Sequence, residues 1–273
     1  RVGFRDPHVF DTEYSFSSSV FFFDRLRDAY DERRIGGRFG FGREIREDLQ
    51  AFVNFRLEDI RISDLDAVVP ADVLDVEGSS GLTSVEVGLT KDTTDSYLFP
   101  TEGYRLTGAV EQAGAMGGDY DFTRFTVDAR RYWTVTRDVL DRKSVLAVRG
   151  RAGFIAGDAP IFERFFAGGH GSIRGFEFRG VGPRELDTAL GGDFMALASA
   201  EYSFPIFGKN LTGVLFLDTG TVEETIEITT WRAAVGAGLR FTVPFFGPVP
   251  FALDFGVPIS SDGNDEEEVF SFS

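Results

Sequence analysis

Apolar and polar residues alternate with a period of two along most of this chain. Over 233–243 the odd positions hold Ala233, Val235, Ala237, Leu239, Phe241 and Val243, and the even ones Ala234, Gly236, Gly238, Arg240 and Thr242. Ala51, Val53, Phe55 and Leu57 alternate with Phe52, Asn54, Arg56 and Glu58, as Phe125, Val127 and Ala129 do with Thr126, Asp128 and Arg130. Side chains of a strand point alternately to its two faces, so each segment has one apolar face and one of charge and glycine. The pattern predicts an all-β antiparallel chain. Strands fall at roughly 1–6, 14–25, 34–45, 48–62, 82–94, 103–113, 121–135, 144–156, 195–206, 211–222, 232–243, 250–260 and 267–273. Most are long enough to cross a bilayer when tilted.

Connection lengths alternate as well. Tight ones fall near Arg46–Glu47, Phe207–Asn210 and Phe245–Val249, moderate ones at 95–102 and 136–143, and long ones at 63–81, 157–194 and 261–266. Short turns at one end and long loops at the other predict a transmembrane β-barrel, with the long loops extracellular and the tight turns periplasmic. A soluble β-sandwich is the competing architecture, and its strands are usually shorter. Mean hydropathy is -0.08, and no run of about 18 apolar residues is present to make a membrane helix. Neutral hydropathy suits a barrel, in which lipid-facing and lumen-facing residues average out. No linker or second domain interrupts the pattern over residues 1–273.

A formal net charge of -16 argues against nucleic acid as a partner, because phosphate backbones are met by basic patches. The chain has no cysteine, which removes disulfides, thiolate metal sites and a cysteine nucleophile. His170 lies near Ser172 and Asp158 in sequence, but a triad is a matter of geometry and no G-x-S-x-G elbow accompanies it. His8 is isolated. GGRFGFG (36–42) and GGHGSIRG (168–175) lack the strand-to-helix context of a phosphate-binding loop. SDGNDEEE (261–268) lacks calcium-loop spacing and is expected to be a solvated acidic loop. No enzyme chemistry, cofactor or metal is indicated.

Charge inside strands is more informative. Glu201 shares a face with Ser199 and Ser203, and Asp218 with Phe216 and Gly220. With the apolar faces toward lipid, both carboxylates point into the lumen on neighbouring strands, where they need a cation. Arg174 lies in the long glycine-rich loop GGHGSIRGFEFRGVGPR (168–184) just upstream. Its planar fork can bridge carboxylates bidentately. The loop is therefore expected to fold inward, with Gly171 and Gly175 relaxing its backbone. Arg174 would then meet Glu201 and Asp218, and Phe176 would pack on the inner wall.

FFAGGHGSIRGFEFRGVGPR (165–184) resembles the signature loop of the BamA superfamily of outer-membrane assembly and transport barrels. The motif matches at Ile173, Arg174, Gly175 and Phe176. FPTEG (99–103), LGGDFMALASAEYSFP (190–205), FLDTGTV (216–222) and GLRFTVPFFGPVPFALDFGVP (238–258) follow in the family's order. The G-P after the motif and GGDFMALASAEY are most similar to the assembly branch. The resemblance covers most of 82–273. It implies an outer-membrane location in a Gram-negative-type bacterium and a sixteen-stranded barrel preceded by POTRA domains. It further implies a role in folding unfolded β-barrel clients into the lipid bilayer, with accessory subunits. In that family a weak seam joins the first and last strands, and here the closing lip would be Val269, Phe270, Ser271 and Phe272. The chain begins at Arg1 within a strand and stops at VFSFS, so it is expected to be the C-terminal portion of such a barrel, lacking about three to four strands. Secretion of a partner polypeptide through the lumen is the alternative implied by the same family, and a passive porin a more distant one.

Overall fold

The computed structural model describes residues 1–27, 29–208, 211–241 and 251–272. Eight strands lead: β1 (Val2–Asp6), β2 (Tyr14–Leu26), β3 (Asp31–Arg46), β4 (Leu49–Ser63), β5 (Gly78–Asp92), β6 (Gly103–Ala113), β7 (Phe122–Arg137) and β8 (Lys143–Gly157). The long loop 158–193 contains three two-residue strands, β9 (Gly175–Phe176), β10 (Arg184–Glu185) and β11 (Thr188–Ala189). The wall resumes with β12 (Phe194–Phe207), β13 (Leu211–Glu223), β14 (Arg232–Phe241) and β15 (Phe251–Ser260). Then come the short β16 (Glu267–Glu268) and β17 (Phe270–Phe272). Thirteen of these form one sheet in the order β1-β2-β3-β4-β5-β6-β7-β8-β12-β13-β14-β15-β17. Among the described residues β1 and β17 do not pair with each other, so the barrel is not closed.

Every pairing in this sheet is antiparallel between neighbours along the chain, with the long loop simply leaving β8 and returning in β12 beside it. Connections therefore alternate between two ends. One end has 7–13, 47–48, 93–102 and 138–142. The other has 27–30, 64–77, 114–121, 158–193, 224–231 and 261–269. The expected turn at 245–249 and the end of that at 207–210 lie outside the described residues.

Alternation becomes two surfaces. Exposed Val20, Phe22, Ile35, Phe41, Val127, Leu217, Val235 and Val257 stand on the outer face. That is the surface a bilayer would cover, at about 25 cal/mol per Å² of apolar area removed from water. Glu32, Glu58, Arg174, Asp218 and Asp254 are buried inside it. Among the described residues no helix is long and apolar enough to cross a membrane; the spans are strands. At the loop-bearing end, short helix α1 (Ala71–Leu74) lowers Val73 onto Ile60, Ile62, Leu82, Phe122 and Ile155, and Ile161 and Phe162 from the long loop complete this apolar cap.

Candidate functional site

Register alone brings the two inward carboxylates together. Ser199 pairs with Asp218 and Glu201 with Phe216 across β12 and β13. On the other side of β13, Asp218 pairs with Ala234 and Phe216 with Gly236. These small residues leave room over the wall, and the loop fills it.

Arg174 Nε and NH2 donate to Oδ2 and Oδ1 of Asp218 at 2.7 and 3.0 Å, and its backbone N–H donates to Oδ2 at 3.1 Å. NH1 donates to Glu201 Oε2 at 2.7 Å. The guanidinium carbon lies 3.5 Å from the centroid of the Phe216 ring, a cation over a π face. Ser199 Oγ donates to Asp218 Oδ1 at 2.6 Å. Burial alone would lower the Arg174 pKa; the hydrogen bonds and charge of Asp218, then of Glu201, outweigh it and hold the value above normal. The fork is fully charged and every arm of it is engaged.

The backbone explains how the arginine gets there. Gly168, Gly169 and Gly175 have φ of 107, 83 and 92°, a region in which side chains other than glycine are strained. Gly171 is not among these residues, so the inward turn belongs to Gly168 and Gly169 instead. A Cβ on Gly175 would meet Ala234 Cβ at 3.1 Å and the Gly256 carbonyl carbon at 3.2 Å. Close approach of two glycines thus seats the motif on the wall. Ile173 and Phe176 are buried with Ala167, Val181, Leu197 and Val222, each worth about 1.5–3 kcal/mol of apolar burial.

Two further groups, Asp254 and Arg240, belong to this site and were not singled out from sequence. Asp254, on β15, accepts from Arg240 NH1 at 2.8 Å. Its Oδ2 lies 3.8 Å from Arg174 NH1 and 3.3 Å from His170 Nδ1. Arg240 NH2 also reaches Glu201 at 3.4 Å. The signal was available: Arg240 and Asp254 sit at even, inward positions of their strands, as Asp218 does. His170 is engaged by Asp254, while Ser172 Oγ donates to Gly168 O at 2.8 Å. No hydrogen bond joins His170 to Ser172 among the described residues, so the arrangement a hydrolytic triad needs is not assembled.

The segment 267–273 departs from its expected form as one strand. Glu267 and Glu268 pair instead with Phe176 and Gly175 of the loop. Flanking bonds continue this ladder, from Glu177 N–H to Glu266 O at 2.9 Å and from Glu266 N–H to Gly180 O at 3.0 Å. The physical reason is that the inward-folded motif offers a second backbone edge at the height where the chain would otherwise pair with β15. Val269 lies between the two ladders, its carbonyl accepting from Gly256 N–H at 2.8 Å. Only Phe270, Ser271 and Phe272 pair with Phe255, Asp254 and Leu253. Ser273 lies outside the described residues. The acidic stretch 261–268 is likewise not merely solvated, because Asp265, 1% exposed, takes Arg232 Nε and NH2 at 3.0 and 3.2 Å. Among the described residues no cluster suited to a metal ion occurs.

The Omp85 superfamily domain matches residues 1–273. The chain belongs to the Omp85 superfamily. The outer membrane protein assembly factor BamA of Nitratidesulfovibrio vulgaris is 30% identical over 285 residues, covering 100% of this chain and 35% of that protein. The chain thus spans about a third of the length of that relative. Among solved structures, BamA from Haemophilus ducreyi lacking POTRA domains 1-3 superposes with a TM-score of 0.81 at 19% identity, over 99% of this chain and 60% of that one. CdiB from Escherichia coli gives 0.61 at 18% identity, over 95% and 48%. The family resemblance read from the sequence is therefore correct, and this Omp85 barrel is an outer-membrane protein. Both assembly factors and CdiB share the fold, which leaves the choice between roles to chemistry.

Proposed function

We propose that residues 1–273 are the C-terminal portion of the barrel of an outer-membrane protein assembly factor. Its clients are unfolded β-barrel proteins, its surroundings lipid, and its partners accessory assembly subunits. No cofactor and no bond-making chemistry enter. The mechanism is β-augmentation: a strand edge near Val269, Phe270, Ser271 and Phe272 offers N–H and C=O groups to an incoming strand. A short seam thins the adjacent bilayer and lowers the barrier to insertion. The Ile173–Phe176 loop holds the barrel in working form through Arg174, Glu201 and Asp218.

One observation favours assembly at the wall over passage through the lumen. The loop is tied to the lumenal wall by the Arg174 guanidinium, which donates to both Asp218 and Glu201, and a translocation pore has to break those bonds to pass each client. The test is reconstitution of the full-length protein in liposomes with an unfolded barrel client, scored by protease protection. The reading expects faster client folding than in empty liposomes, with Arg174→Ala slower. Unchanged client folding, together with passage of a partner polypeptide into the vesicle interior, would establish the secretion reading.

A further inference from the structure

Glu163 belongs to the same loop but faces the opposite wall. It ends a short 3-10 turn, Ile161–Glu163, and is 5% exposed. Arginines from three strands converge on its carboxylate. Arg34 NH1 of β3 donates to Oε1 at 2.8 Å, and Arg56 NH2 of β4 and Arg124 NH2 of β7 donate to Oε2 at 3.0 Å each. Arg34 also donates to the Phe162 carbonyl at 3.0 Å and lies 5.1 Å from that ring. Arg124 reaches the Glu163 carbonyl as well.

Wall carboxylates balance the arginines in turn. Glu58 and Glu32 share Arg34 at 3.2 and 2.5 Å. Glu111 takes Arg56 at 2.8 Å and Arg124 at 2.7 Å. Without Glu163 the three guanidiniums would face one another in a site capped by Ile161 and Phe162. Burial pushes the Glu163 carboxyl up, and Arg56, Arg124 and Arg34 override that and bring it down to about 2. It is ionised throughout the working range.

The position of this cluster gives it a consequence. Above it is the apolar cap; below it opens a lumenal cavity of about 770 Å³, lined by Arg38, Asn54, Arg56, Glu111 and Arg124 together with Ser17 and other small residues of β2 and β3. The cluster is the partition between the two.

We propose that Glu163 is the second anchor of the lumenal loop, which with Arg174 turns the loop into a strut fixed at both walls and closes the barrel to ions. Arg174 holds the far end to β12 and β13; Glu163 holds the near end to β3, β4 and β7. Neither anchor alone keeps the passage shut. The proposal goes beyond the assembly reading and does not depend on which clients the barrel serves.

The experiment is conductance of the full-length protein in planar lipid bilayers, using only the folded fraction identified by its heat-modifiable gel mobility. Glu163→Gln removes the charge at nearly constant volume, and it is expected to raise conductance several-fold over wild type. Glu163→Asp retains the charge and is expected to stay near the wild-type value. Arg174→Ala opens the other end, and the double variant is expected to conduct more than either single one. Folded Glu163→Gln barrels that conduct like wild type would overturn the proposal. A second measurement needs no variant: hydrogen exchange on the wild-type protein, where 160–166 is expected to exchange as slowly as the strands. Exchange there as fast as in the exposed turn 138–142 would overturn it equally, whether or not Glu163→Gln folds.

Discussion

A buried arginine with two carboxylate partners is strong in place and costly to dismantle. Asp218 is 2% exposed and Arg174 9%, so Arg174→Ala leaves a carboxylate with no cation in a site that admits little water. Breaking a buried pair from one side costs about 3–5 kcal/mol when the site is dry, and less as water enters. Arg174→Ala is expected to loosen the loop and raise its protease sensitivity, with Arg174→Lys only partly restoring it, because an ammonium cannot span both acids with fixed geometry. Asp218→Arg alone is expected to be harmful, and pairing it with Arg174→Asp to recover part of the loss. Protease nicking of the loop and a double-mutant cycle measure both, and zero coupling energy would contradict a direct contact. Glu163 supplies a pH dependence. Its carboxyl falls from the ordinary 4.5 to about 2 on folding, so its contribution is complete above 4.5 and vanishes as pH falls through the folded value. The stability difference between wild type and Glu163→Gln is expected to be flat above about pH 5 and to close toward pH 2. Melting of the folded gel band against pH reads it, and a difference that persists at low pH would remove the charge from the account.

Strands carry the clearest prediction at the next scale. On β2, Val20 is 61% exposed on the outer face, while Ser17 faces inward, paired with Gly40 on β3 and lining the large cavity. An arginine on the lipid face costs about 2–4 kcal/mol near the bilayer midplane, and far less where it meets water. Val20→Arg is therefore expected to lower the folded fraction in lipid vesicles well below that of Ser17→Arg; equal yields would mean that the faces are misassigned. This contrast also explains what the sequence made legible. A period of two is imposed by strand geometry, so β2–β8 and β12–β15 were readable with small errors at their ends. The Arg174 constellation was readable because two inward acids demand a cation and the nearest candidate sat in a glycine-rich loop. Glu163 was not, because its partners Arg34, Arg56 and Arg124 lie up to 129 positions away and no local pattern links them. The last segment was misread for the same reason. Glu267–Glu268 found a partner edge in a loop, and backbone pairing leaves no mark on side-chain periodicity.

For the molecule as a whole, sidedness follows from the two sets of connections. The end bearing 64–77 and 158–193 is expected to face the cell exterior and the end bearing 47–48 and 138–142 the periplasm. The chain contains no cysteine, so single introduced thiols report cleanly. Leu74 and Val139 are 54% and 101% exposed at opposite ends. With an impermeant thiol reagent on intact cells, Leu74→Cys is expected to react and Val139→Cys to react only after permeabilisation. The reverse labelling would invert the barrel. Finally, the long loop departs from β8 and rejoins the sheet in β12, two strands paired directly, Phe194 opposite Phe154. Their closure is sealed by the bond from Ile155 N–H to Asp193 O at 2.8 Å. No rung of the wall waits on the loop, whereas both of its anchors wait on the wall: Glu163 needs β3, β4 and β7 assembled, and Arg174 needs β12 and β13. The consequence is one of timing. The wall can zip hairpin by hairpin from local contacts, and the segment that fills it arrives last, as a late and separately measurable phase of folding.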